Sequence, residues 1–76
     1  MILDIIIEKT NDGFNADVPS LQDCDSWAHT EEEAIKNIFE RVSYFLMVEQ
    51  KLFKLDKARI EDNRIIYKLV IDKTSL

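Results

Sequence analysis

From Ala34 to Phe53 the apolar residues recur with helical spacing: Ala34, Ile35, Ile38, Phe39, Val42, Phe45, Leu46, Leu52 and Phe53, with neither Gly nor Pro between them. Thr30, followed three positions later by Glu33, has the form of a capping box, in which the hydroxyl accepts an orphan N–H of the first turn. Glu31, Glu32 and Glu33 fall where the helix dipole favours negative charge. The spacing predicts one helix of about five turns. In a chain of 76 residues this leaves room for one hydrophobic core, built from that helix and the segments flanking it.

Those flanks alternate. In "ILDIIIEK" (Ile2–Lys9), Leu3, Ile5 and Ile7 line one face, while Ile2, Asp4, Ile6 and Glu8 line the other. "NDG" (Asn11–Gly13) supplies residues that accept the positive φ of a tight hairpin. "FNADV" (Phe14–Val18) alternates again and stops at Pro19, which has no N–H for a ladder. "CDSWA" (Cys24–Ala28) reads as a third short strand, "LDKARIEDN" (Leu55–Asn63) as a connection with some extended structure, and "RIIYKLVID" (Arg64–Asp72) as the last strand. A strand reached through a helical crossover pairs most naturally in parallel. The expected fold is α+β in the order βββαβ: a three-stranded antiparallel meander, a fourth strand parallel to the first, and one long helix on one face. Residues 1–76 are expected to form a single domain.

The formal charge of −5 disfavours direct nucleic-acid binding, which needs a basic surface to displace counterions, and favours a basic protein partner. The basic residues between Lys51 and Lys73 alternate with acidic ones. A single cysteine forms no intramolecular disulfide, and no Cys/His set has metal-ligand spacing, so no metal or other cofactor is expected. The start lacks a basic segment ahead of its apolar run, and the apolar runs are too short to span a bilayer; a cytoplasmic protein without membrane contact is expected.

The only Gly, Pro, Cys, Trp and His all lie between Gly13 and Ala34. Architecture absorbs most of this stretch: Gly13 for a turn, Pro19 for a strand stop, Cys24 for the core, Thr30 for a cap. Trp27 and His29 are left over. Alternation sets Trp27 on the sheet face away from the helix, unless the third strand is irregular and the indole enters the core. That open face mixes carboxylates with apolar residues, as an interface does. Asp4 and Asp17, joined by Asp25 or Asp72, could converge as in a two-metal nuclease, but a solvated face explains them equally. Cys24 and His29 fall on opposite faces and make no nucleophile–base pair.

Gly13, Phe14, Ala16, Pro19, Leu21 and Cys24, followed by Thr30, Glu33, Ala34 and Asn37, form a pattern that resembles the HicB-type antitoxin domain over roughly residues 2–45. The resemblance implies a partial ribonuclease-H-like fold. It also implies a non-enzymatic role: binding a small basic HicA-like endoribonuclease toxin and blocking its RNA-binding face. Where the family usually has Gly before the cysteine, this chain has Asp23, which implies a differently shaped loop. Many family members carry a C-terminal DNA-binding module; with only "KTSL" after Asp72, none is expected here. The expected contact surface is Ile6, Asp17, Asp25, Trp27 and His29, on a chain that forms a homodimer. The alternatives are a module of the same fold that self-associates without a toxin, and a degenerate nuclease.

Overall fold

The structure, a computed structural model, describes residues 1–72; the tail expected to carry no DNA-binding module, residues 73–76, lies outside the described residues. The elements are β1 (Ile2–Lys9), β2 (Phe14–Asp17), β3 (Asp25–Ala28), α1 (Glu31–Leu46), a 3₁₀ turn (Gln50–Leu52), β4 (Phe53–Glu61) and β5 (Arg64–Ile71). They form one five-stranded sheet in the order β3-β2-β1-β5-β4. Every neighbouring pair is antiparallel.

This corrects the expected βββαβ arrangement with a fourth strand parallel to the first. The segment read as a connection is the nine-residue strand β4. Asp62 and Asn63 turn it back into β5, with Glu61 opposite Arg64. The strand entering the sheet beside β1 therefore arrives from a hairpin and runs antiparallel, pairing Ile2 with Val70 through Glu8 with Arg64. β4, the strand that does follow the helix, runs in the direction of β1 but lies at the sheet's edge with β5 between them. Its alternation is broken by a bulge between Lys57 and Arg59, so its sequence reads as irregular.

One face of the sheet and the helix enclose the core. Leu3, Ile5 and Ile7 of β1 meet Ala16, Val18, Cys24, Ala28, Leu69 and Ile71, with Ala34, Ile38 and Val42 facing them from α1. Ile5, Ile38 and Leu69 have no exposed surface, and burying side chains of this size contributes about 1.5–3 kcal/mol each. Phe39 and Phe53 meet edge to face at 5.3 Å, tying the helix to the start of β4.

At the helix start, Thr30 Oγ1 accepts the Glu33 N–H at 3.1 Å. The helix ends at Leu46, short of the apolar spacing that continues to Phe53. Met47 caps it in the left-handed region at φ 56°, its N–H bonded to the Ser43 carbonyl. The Val48 N–H reaches the same carbonyl, and the Ser43 hydroxyl donates to the Val48 carbonyl. Leu52 then sits in the 3₁₀ turn and Phe53 opens β4.

The β1–β2 turn corrects another expectation. Gly13 does not have a positive φ. A Cβ there would lie 2.4 Å from the Ala28 carbonyl oxygen and 2.4 Å from Trp27 Cζ2. Glycine is needed because β3 and its indole close onto the hairpin.

Candidate protein-binding site

The site lies where β3 forms one edge of the sheet. Trp27 pairs across the ladder with Asn15, and Asp25 with Asp17, which in turn faces Ile6 of β1. Ile6, Asp17 and Asp25 thus make one row across three strands, with Trp27 in the next row. Ile6 is half-buried, whereas Asp17, Asp25 and His29 are exposed. The Trp27 indole lies against Gly13, and its Nε1 donates to Thr10 Oγ1 at 3.4 Å. His29 meets that indole edge-on, 4.7 Å between ring centres, with Nδ1 3.4 Å from the Asp12 carbonyl oxygen. Trp27 is held, yet 41% of it stays exposed. It is not a core residue.

Cys24 is buried among core residues. Burial pushes its thiol pKa up; the Arg41 charge opposes this, and Asp17 and Asp25 add to it. Asp4 is ion-paired with Lys68. Among the described residues, no three His, Cys, Asp or Glu side chains converge as a metal site requires. No helix among them is long and apolar enough to cross a membrane.

Sequence reasoning missed the helical half of the site. Tyr44 is 88% exposed, Phe45 51% and Met47 91%. Phe45 continues the buried stripe of Ala34, Ile38 and Val42, and by spacing alone it belongs in the core. It is left uncovered because the helix overruns the strand beneath it. Sixteen helical residues reach about 24 Å, and the four residues of β3 about 13 Å. The overhang leaves a groove of about 530 Å³ between helix and strand, walled by Trp27, Tyr44 and Phe45 with Asp23, Glu40 and Arg41 at its polar rim. The signal available in the sequence was the cluster "SYFLM" ending a helix, with a large apolar residue at the cap.

The chain segment that supplies the groove carries most of the negative charge. Residues 11–49 carry nine carboxylates against Lys36 and Arg41, a local balance of −7; the remaining residues balance to +2, giving the overall −5. The loop leading into β3 also departs from expectation. Asp23 has φ 58°, in the left-handed region where glycine is most at home and Asp is tolerated. The backbone at Asp23 therefore has a conformation that suits glycine, and the change of residue does not itself demand a new loop shape.

A UPF0150 protein of Helicobacter pylori (strain J99 / ATCC 700824) is 39% identical over 46 residues, covering 60% of this chain and 64% of that protein. The match thus spans less than two thirds of that relative. No family model matches the chain. No solved structure matches it.

Proposed function

We propose that the chain is an antitoxin-type binding domain of the HicB-like kind, which takes up a small basic protein at the β3–α1 groove. In this reading the partner is an endoribonuclease toxin whose RNA-binding face is covered by the complex, and the chain itself performs no catalysis. The observation that carries the reading is an exposed cluster of Trp27, Tyr44, Phe45 and Met47 within the segment of net charge −7. Aromatic side chains of this kind dominate binding energy at interfaces. A segment this acidic favours a basic partner. The residues from Gly13 to Asn37 that resemble the HicB-type pattern run into this groove, since Asn37 lines it with Cys24 and Trp27. The likeness to a UPF0150 protein adds a relative without adding an activity.

The test is a tagged pull-down from the native host, read by mass spectrometry under conditions that preserve tight complexes. A small basic protein recovered in stoichiometric amount, and lost with Trp27→Ala or Tyr44→Ala, is the expected result. Recovery of the chain alone would remove the toxin-binding function and leave a self-associating module.

A further inference from the structure

The opposite edge of the sheet is β4, which among the described residues is bonded on one side only, to β5. A free edge strand offers unpaired N–H and C=O groups to another strand, and proteins usually block it with charges or bulges. β4 has both, and both match a second copy of the same strand. We propose that the outer edge of β4 pairs antiparallel with β4 of a second chain, about a two-fold axis at the bulge, joining the two sheets into one.

The charges along β4 are Lys54, Asp56, Lys57, Arg59 and Glu61. Turned against itself about the bulge, the strand sets Lys54 opposite Glu61, Asp56 opposite Arg59 and Leu55 opposite Ile60. Symmetry makes each pairing occur twice. A slide of two residues one way sets Asp56 against Glu61, and the other way Lys54 against Arg59. Like charges directly opposite are unfavourable, so the pattern selects one register.

The bulge is what makes this register possible. Cross-strand partners must share a face, and a two-fold axis normal to the sheet keeps every residue on its own face. In a regular strand, Lys54 and Glu61 would point to opposite faces. The extra residue Ala58 corrects this. Lys54, Asp56, Arg59 and Glu61 lie opposite Val70, Lys68, Ile66 and Arg64, all on the face away from the helix. Leu55 and Ile60 lie opposite Leu69 and Ile65, on the helix side. Lys57, which would otherwise meet its own twin, is drawn aside with its ammonium 5.9 Å from the centre of the Tyr67 ring. Ile60, 66% exposed, gains an apolar neighbour in the second chain's Leu55.

This inference stands apart from the toxin-binding reading, since it uses the other edge and needs no second protein. Its test is sedimentation velocity on the full chain, on Asp56→Lys, on Arg59→Asp, and on an equimolar mixture of the two variants. A pairing of this length is at the small end of stable interfaces, so the wild type should show a concentration-dependent dimer in the micromolar range. Each variant alone sets like charges opposite and should dimerise at least tenfold more weakly. The mixture restores opposite charges at every pairing and should recover the dimer as one of each. A wild type that stays monomeric to about 1 mM overturns the proposal, as do single variants that dimerise normally. So does a mixture that fails to pair while circular dichroism shows both variants folded. Where a variant does not fold, hydrogen exchange on the wild type decides: β4 amides should slow as concentration rises, and unchanged rates overturn the proposal.

Discussion

The sheet ends in β3 on one side and β4 on the other. β3 is four residues long and sits under a helix that overruns it, so its edge opens into a groove walled by Trp27, Tyr44 and Phe45. β4 is nine residues long, and its outer edge carries charges of both signs. The segment that holds β3, residues 11–49, balances to −7, while the rest of the chain balances to +2. β4 pairs each sign with its opposite when it meets a copy of itself. The two edges thus differ in chemistry: the β3 groove matches the basic partner proposed for it, and the β4 strand matches the second copy proposed for it.

The sharpest way to break the β3 side is Gly13→Ala. The added methyl meets the Ala28 carbonyl and the Trp27 ring at 2.4 Å, and relieving that overlap should cost about 2–3 kcal/mol. The denaturation midpoint should fall and Trp27 emission should shift, while β4-mediated self-association of the folded fraction is retained. Next comes Tyr67, which links β5 to the helix start by donating to Glu31 Oε2 at 2.6 Å. Burial first, then that hydrogen bond and the Glu31 charge, push its pKa up to about 12. Because the folded value lies above the unfolded value near 10, the contribution is complete below about pH 10 and disappears as pH rises through about 12. Stability should fall by about 2 kcal/mol across that window, and Tyr67→Phe should flatten the slope in alkaline denaturation curves.

Met47 should give a smaller effect of opposite sign. It holds a left-handed cap and is 91% exposed; Met47→Gly should raise stability by about 1 kcal/mol and weaken partner capture at the groove. Asp23→Gly should move stability least, by a few tenths of a kcal/mol upward, because Asp already tolerates the left-handed region. Thermal melts of the two variants side by side would check both.

What the sequence disclosed follows the same division. β1, β2, β5 and the helix start were legible because their apolar faces are buried and keep strict period. β4 was not, because an edge strand is charged on both faces and Ala58 breaks its alternation. The parallel fourth strand followed from that omission, since with the hairpin at Asp62–Asn63 unseen, β5 looked like the direct product of the crossover. Trp27 was legible as a residue left over by architecture, but its hold on Gly13 was not, since that contact joins two segments through space. Tyr44, Phe45 and Met47 escaped because helical periodicity reports which side of a helix faces inward, not whether anything lies beneath it.

The most direct measurement is hydrogen–deuterium exchange on the chain before and after addition of a small basic protein recovered in the pull-down. Exchange should slow at Asp25–Ala28 and at Tyr44–Met47, with β4 amides unchanged by the partner. Protection confined to Phe53–Glu61, or no protection at the β3–α1 groove, would contradict it.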